Sequence, residues 1–120
     1  MATQVFGLLG PKCLYQSRKR WNQLFLDRGI DAFFDFYPTR TSQDLELRFS
    51  EMFLHERRGY LLTESLQISA VKLLDIPDAS VIRSGKVDVV VNDGGVLTGY
   101  FIGESAAHTA ETLRLWFPLL

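Results

Sequence analysis

Residues 86–103 read KVDVVVNDGGVLTGYFIG and contain the clearest hairpin in the chain. Two β-rich runs, 87–91 and 96–102, flank the turn sequence NDGG at 92–95. Asparagine, aspartate and glycine tolerate the positive φ angles that a tight hairpin turn requires. The stretch therefore predicts two antiparallel strands late in the chain.

The first strand of this hairpin is almost entirely apolar. Alternation places Val87, Val89 and Val91 on one face of the strand and Asp88 and Val90 on the other. Because both faces carry valine, we expect the strand to be buried on both sides, in a sheet that helices cover. Asp88 is the one polar residue that interrupts the run.

Upstream of the hairpin, strand-like and helix-like runs alternate. Strands are expected at 3–9, 30–37 and 59–63, and helices at 18–28, 42–56 and 66–74, with a last helix at 105–117. Ser17, Thr41 or Ser42, and Ser105 are the expected N-caps. Alternation of this kind predicts an α/β three-layer sandwich with a mostly parallel sheet and one antiparallel strand from the late hairpin. In such sheets, ligands bind beyond the carboxyl ends of the strands.

Length and composition narrow the classes of function. A chain of 120 residues is expected to form one domain, residues 1–120, with 47% hydrophobic residues. Its 13 basic and 14 acidic residues create no net field for nucleic acid or an anionic membrane, so neither is an expected partner. The lone Cys13 excludes an internal disulfide and a thiolate metal cluster, and no metal site is expected. With no membrane-spanning run or signal peptide, a cytoplasmic location is expected.

The order of motifs resembles a known family. FGLLGP begins at residue 6, WNQLF at 21, GYLLT at 59, AVKLLD at 70 and GKVDVVVNDGGVLTGYFIG at 85. Together they resemble the N-terminal substrate-binding domain of the shikimate and quinate dehydrogenases, over nearly the whole chain. The family typically reads Gly-Ala-Val-Asn-Thr-Val-Val, a glycine turn, then Leu-x-Gly-Tyr-Asn-Thr-Asp-Gly. The scaffold residues kept here are Val87, Val90, Val91, Gly94, Leu97, Gly99 and Tyr100.

The resemblance also implies where a substrate would bind. The family's two carboxylate-binding serines fall on Tyr15 and Ser17, and its hydroxyl-binding asparagine falls on Asp88. Its Asn-x-Thr-x-Pro-x-Lys motif keeps Thr63. The implied substrate-binding positions are Tyr15, Ser17, Thr63, Gln67, Asp88 and Glu104.

The catalytic pair that the resemblance implies is missing. The family's lysine position is Gln67 and its aspartate position is Gly103, with Glu104 one residue late. An amide cannot carry a proton near neutral pH. Lys72, five residues after Gln67, is expected to point elsewhere. We therefore expect no catalytic residues and no cofactor in this chain, with NADP bound only if a separate nucleotide-binding domain exists.

Three functions follow as alternatives. The first is a non-catalytic relative that binds a small polar or semi-polar ligand, or a partner protein, at the altered cleft. The second is the substrate-binding part of a divergent shikimate 5-dehydrogenase, completed by a separate NADP-binding partner domain. The third is a structural module that forms a homodimer through an exposed apolar patch. The residues expected in that patch are Leu113, Trp116, Phe117, Leu119 and Leu120.

Overall fold

The computed structural model describes residues 3–12, 15–103 and 108–119, and only the backbone at positions 15 and 108. The strands are β1 (Gln4–Gly10), β2 (Ala32–Pro38), β3 (Arg57–Leu62), β4 (Ile76–Pro77), β5 (Val89–Asp93) and β6 (Val96–Tyr100). The helices are α1 (Tyr15–Asp27), α2 (Ser42–Leu54), α3 (Ala79–Ser84) and α4 (His108–Trp116), and two 3-10 turns lie at Glu64–Leu66 and Val71–Leu73.

The strands form one mixed sheet in the order β2-β1-β3-β5-β6-β4. β1 pairs in parallel with β2 and β3, and β6 pairs in parallel with β4. β5 is antiparallel to both of its neighbours, β3 and β6. The predicted α/β class, with one antiparallel strand supplied by the late hairpin, is confirmed.

The hairpin turn has the expected chemistry. Asp93 pairs with Val96, which leaves Gly94 and Gly95 as the two turn residues, at φ 61° and 96°. Two positive φ angles in succession match the right-handed twist of the strands, and glycine adopts them without a steric penalty. Asn92 stabilises the turn because its Oδ1 accepts the Gly95 N–H at 2.9 Å.

The face predicted for Val87 is wrong. Val89 packs into the cluster on one side of the sheet, whereas Val87 packs with Val90 on the other side. β5 begins only at Val89, and the Val87 N–H donates to the Gln67 carbonyl at 2.9 Å. The two-residue alternation therefore does not extend back to position 87.

Helices cover both faces of the sheet and give the three layers. On one face, α2 and α3 contribute Leu45, Phe49, Met52 and Val81 to a buried cluster. On the other face, α1 and α4 contribute aromatic and aliphatic side chains to a second cluster. The helix residues in that second cluster are Trp21, Phe25, Leu113 and Trp116.

Several helix boundaries differ from the expectation. α1 begins at Tyr15, so Ser17 lies in the first turn of the helix and is not its N-cap. Residues 66–74 form parts of two 3-10 turns in place of one α-helix. Thr41 caps α2 as predicted, in a capping box with Asp44. The expected cap Ser105 lies outside the described residues.

Two residues of the predicted apolar patch are core residues. Leu113 is 5% exposed and Trp116 is 1% exposed, because both face the sheet from α4. Phe117 is partly buried against the same cluster, Leu119 is exposed, and Leu120 lies outside the described residues. In the part of the chain that the structure describes, no helix has both the length and the apolar character to cross a bilayer.

Candidate functional site

A cleft of about 670 Å³ opens at the carboxyl ends of the parallel strands. It lies beyond β1, β3 and β6, beside the amino end of the antiparallel β5, and we call it the carboxyl-edge cleft. Its walls include polar and charged side chains from α1, the turn after β3 and the segment before β5. These are Ser17, Arg20, Thr63, Glu64, Gln67, Lys86 and Asp88. A crevice at this edge is the usual ligand position in sheets of this class.

The structure brings most of the implied site residues together. Ser17, Thr63, Gln67 and Asp88 all line the carboxyl-edge cleft, and so does Gly103. The Tyr15 side chain and Glu104 lie outside the described residues. Residues from three separate segments of the chain therefore meet at one cleft.

Hydrogen bonds of both its side chain and its main chain hold Gln67 in place. The side-chain Nε2 of Gln67 donates to the Leu62 carbonyl at 3.1 Å. The main-chain carbonyl of Gln67 accepts the Val87 N–H at 2.9 Å. The side chain therefore ties the first 3-10 turn to the end of β3. It presents an uncharged amide where the family has lysine.

Asp88 supports the wall of the cleft. The residue is 4% exposed, and its Oδ1 and Oδ2 accept the N–H groups of Ile102 and Gly103, each at 2.9 Å. These bonds fix the chain that leaves β6 against the chain that enters β5. A carboxylate can accept both N–H groups at once, whereas the oxygen of an asparagine amide is a single acceptor atom.

Two glycines of β1 each lie under a side chain of a neighbouring segment, Gly10 under Thr63 and Gly7 under Tyr37. The Thr63 Oγ1 is buried without a hydrogen-bond partner among the described residues, and Thr63 lies close over Gly10. A Cβ at Gly7 would overlap the Tyr37 ring. Both glycines thus make room for side chains of this chain, and their surroundings do not fit the cradle of a dinucleotide pyrophosphate.

Sequence reasoning missed two cations of the carboxyl-edge cleft. Arg20 reaches it from α1, three residues after Ser17, and Lys86 reaches it from the segment before β5. The Lys86 Nζ lies 6.0 Å from the centre of the Phe101 ring. The signal that could have found Arg20 is its helical spacing of three residues from Ser17. Neither cation forms an ion pair within the described residues.

The carboxyl-edge cleft also has apolar lining residues. Leu8, Trp21, Leu61 and Phe101 contribute to its lining. Hydrophobic contact area beside a few charged donors is the composition typical of small-molecule sites. No three His, Cys, Asp or Glu side chains group as a metal site within the described ranges.

No protein-family model matches the sequence, and no curated protein matches it. Solved structures do match. A shikimate 5-dehydrogenase from Listeria monocytogenes, in complex with shikimate and NAD, is 26% identical, with a TM-score of 0.76 over 82% of this chain and 34% of that chain. Shikimate dehydrogenase from Aquifex aeolicus is 21% identical, with a TM-score of 0.77 over 97% of this chain and 43% of that one. Quinate dehydrogenase from Corynebacterium glutamicum, in complex with NAD, is 21% identical, with a TM-score of 0.73 over 83% and 38%.

These matches confirm the resemblance to the N-terminal domain of the shikimate and quinate dehydrogenases as a likeness of fold. The chain spans only about a third to two fifths of the length of the solved structures that it matches. Function has to be argued from the residues of the cleft, because one fold carries many activities.

Proposed function

We propose that this chain is a non-catalytic binding domain that holds a small ligand in the carboxyl-edge cleft. One observation carries the proposal: the cleft is open and lined by charged and polar groups, yet Gln67 and Gly103 occupy the positions of the family's lysine and aspartate. The Gln67 amide is committed to the Leu62 carbonyl at 3.1 Å, and a glycine has no side chain to move a proton. Binding needs only the donors and the apolar wall that are present.

The lining favours an anionic, weakly hydroxylated ligand. Arg20 and Lys86 offer charged donors for a carboxylate, and Leu61 and Phe101 offer apolar contact. Asp88 already accepts two backbone N–H groups, so it has less capacity to bind ligand hydroxyls than an exposed carboxylate would have. A carboxylate on a hydrocarbon ring fits this lining better than shikimate does.

Thermal unfolding with two carboxylates tests the proposal. Cyclohexanecarboxylate should raise the Tm saturably at millimolar concentration, and shikimate should not. Lys86→Gln should weaken the cyclohexanecarboxylate effect, whereas Lys72→Gln, at an exposed lysine of the second 3-10 turn, is the matched control. A clear saturable shift with shikimate would overturn the proposed preference. Failure of both compounds would favour a partner protein as the occupant of the cleft.

The second candidate is an enzyme part. The chain spans 34% to 43% of the length of three solved dehydrogenases that it matches, which is the observation that favours it. In that case a separate domain supplies NADP, and this chain positions the substrate. NADP-dependent oxidation of shikimate by the chain mixed with such a domain, lost in Gln67→Ala, would support it. Loss of this oxidation in the single variant Glu104→Gln would identify Glu104 as the carboxylate that substitutes for the missing aspartate.

The homodimer and the cytoplasmic location stay predictions. The α4 patch no longer supports the prediction of a homodimer, since Leu113 and Trp116 are core residues. Light scattering at high protein concentration measures the oligomeric state directly.

A further inference from the structure

The strand β2 lies at one edge of the sheet, because it has β1 on one side and no strand on the other. It is seven residues long, whereas β4 at the opposite edge has two. An edge strand presents a row of backbone N–H and C=O groups, and such a row can pair with a strand of another molecule. What occupies the row along β2 therefore decides whether the sheet can grow at this edge.

Two hydrogen bonds to β1 show which residues of β2 form this outer row. The Gln4 N–H donates to the Asp31 carbonyl at 3.1 Å, and the Thr39 N–H donates to the Gly10 carbonyl at 2.8 Å. Backbone groups alternate in direction along a strand, so the odd-numbered residues from 31 to 39 face β1 and the even-numbered ones face outward. The outward residues of β2 are Ala32, Phe34, Phe36 and Pro38.

Asn22 of α1 occupies the middle of the outer row. The Phe34 N–H donates to the Asn22 Oδ1 at 2.7 Å, and the Asn22 Nδ2 donates to the Phe34 carbonyl at 2.9 Å. A side-chain amide offers one acceptor and one donor group, as a peptide group of a neighbouring strand does. The Trp21 ring stacks on the Phe34 ring, with centroids 5.6 Å apart, and so holds this part of α1 against β2. Asn22 thus takes both groups that a partner strand would need at Phe34.

The other outward N–H groups of β2 are also occupied. The Phe36 N–H donates to the Asp35 Oδ1 at 2.8 Å, and the Ala32 N–H donates to the Ile30 carbonyl at 2.9 Å. Pro38 has no N–H to offer. Along β2, which the structure describes in full, no outward N–H is left for the carbonyl groups of an approaching strand.

Charged side chains lie along the same edge. Arg18 precedes Asn22 by one helical turn, so the two residues share a face of α1. The Arg18 Nε lies 3.4 Å from the Asp35 Oδ1, and its guanidinium carbon lies 5.8 Å from the centre of the Phe33 ring. Charges placed on an edge strand oppose pairing with another strand.

The opposite edge of the sheet is closed as well. β4 covers only two positions of β6, and side chains take backbone groups beyond it. The Asp75 Oδ2 accepts the Leu97 N–H at 2.8 Å, and the Ser80 Oγ accepts the Phe101 N–H at 2.9 Å. Neither edge therefore resembles an open site for strand addition.

We propose that Asn22 is an autoinhibitory contact that closes the outer row of β2 against strand addition, and that without it β2 pairs with β2 of a second copy. A second copy fits because two identical edges pair antiparallel around a two-fold axis, with the same residues on both sides. Phe33, which is 41% exposed on this strand, adds apolar contact to such a pair. Asn22 does not line the carboxyl-edge cleft, so this role is independent of ligand binding there.

Light scattering of the full 120-residue chain over a concentration series tests the role of Asn22. Asn22→Ala keeps a good helix former in α1 but frees both backbone groups of Phe34. Its mass should rise with concentration toward twice that of the parent, and adding Phe33→Lys should restore the parent's mass. Gln23→Ala is the matched control, because the Gln23 side chain donates to Asp27 of the same helix at 2.8 Å, and it should keep the parent's mass. A mass of folded Asn22→Ala equal to the parent's at millimolar concentration would overturn the proposal.

Amide exchange locates the new contact. In dilute Asn22→Ala the Phe34 amide should exchange at least about tenfold faster than in the parent, and its protection should return at concentrations where the mass doubles. Association without that recovery would place the interface elsewhere and contradict the proposal. The parent supplies a test that needs no folded variant, because its Phe34 and Phe36 amides should be protected despite their place at an edge. Exchange of both as fast as in an unfolded chain would refute the closed edge.

Discussion

The indole of Trp116 lies directly over Gly59, in a contact that leaves no room for a Cβ at position 59. Trp116 reaches β3 from α4, and its Nε1 donates to the Val90 carbonyl of β5 at 3.2 Å. Its ring also packs against Phe6 and Trp21, with centroids 4.4 Å and 5.1 Å away. Trp116 therefore ties the last helix to the centre of the sheet, beside the buried Leu113 of the same helix.

Gly59→Ala should lower the free energy of unfolding by about 2–3 kcal/mol, because the added methyl group displaces a packed indole. Trp116→Phe should relieve part of this overlap in the double variant, although it loses the hydrogen bond to Val90. A double-mutant cycle by urea denaturation measures the coupling between the two positions. Strict additivity of the two single changes would show that the contact is unimportant.

Asp88→Asn should destabilise the fold by about 2–3 kcal/mol. The Asp88 carboxylate accepts N–H groups from Ile102 and Gly103, and an asparagine would turn a donor toward one of them. Urea denaturation gives the stability, and amide exchange at Gly103 reports the local loss. Asp93→Asn, at an exposed position of the hairpin, should change stability by less than about 0.5 kcal/mol. An unchanged stability in Asp88→Asn would contradict the structural role.

Tyr60 should make the protein sensitive to alkali. Burial raises the pKa of Tyr60 to about 12, and the opposing effect of Arg57 only partly offsets it. In the unfolded chain the Tyr60 phenol ionises near pH 10. The stability that the neutral, buried phenol contributes is therefore intact below pH 10, and the free energy of unfolding falls by about 2–3 kcal/mol as the pH rises toward 12. In Tyr60→Phe the free energy of unfolding should fall less steeply with rising pH. Some slope should remain, because burial also raises the pKa of Tyr37 and Tyr100.

Tyr60→Phe should also lower the free energy of unfolding by about 1–2 kcal/mol at neutral pH. The Tyr60 hydroxyl donates to the Arg48 carbonyl at 2.7 Å and accepts from the Arg57 Nη1 at 3.1 Å. Unfolding curves of Tyr60→Phe at pH 7 and across the alkaline range separate the two effects. An alkaline slope equal to that of the parent would refute the assignment to Tyr60.

Glu51 should contribute stability that acid removes. Burial favours the neutral acid, but the hydrogen bonds and charges of Arg48 and then Arg57 outweigh burial and lower the pKa of Glu51 below 4.5. Its contribution is therefore present above pH 4.5 and is lost as the pH falls through the lowered value. Glu51→Gln should cost about 1–3 kcal/mol at pH 7. The difference from the parent should shrink in acid, and Glu46→Gln, at an exposed position of α2, should show no such pH dependence.

Local patterns predicted a large part of the fold. The turn sequence at 92–95 and the valine runs beside it predicted the hairpin, because positive φ angles and β-branched residues are local preferences of the chain. The second 3-10 turn was predicted as part of an α-helix at 66–74, and β4 was not predicted. A parallel pairing of only two residues, Ile76 with Thr98 and Pro77 with Gly99, leaves no periodicity to detect.

Part of the carboxyl-edge cleft was also accessible from the sequence. The family pattern implied Ser17, Thr63, Gln67 and Asp88, and all four line the cleft. It could not imply Arg20 or Lys86, because neither matches a family motif. Their position in the cleft depends on how α1 and the segment before β5 lie against the sheet.

The sequence by itself determined the alternation of β1, α1, β2, α2 and β3, the tight hairpin turn, and the absence of the family's lysine from position 67. These properties depend on backbone preferences and on the identity of single residues. Only the tertiary structure decided that Trp116 is buried over Gly59 and that Asp88 holds the backbone at 102 and 103. Each of those contacts joins segments far apart in sequence, and their positions depend on how the helices and strands pack together.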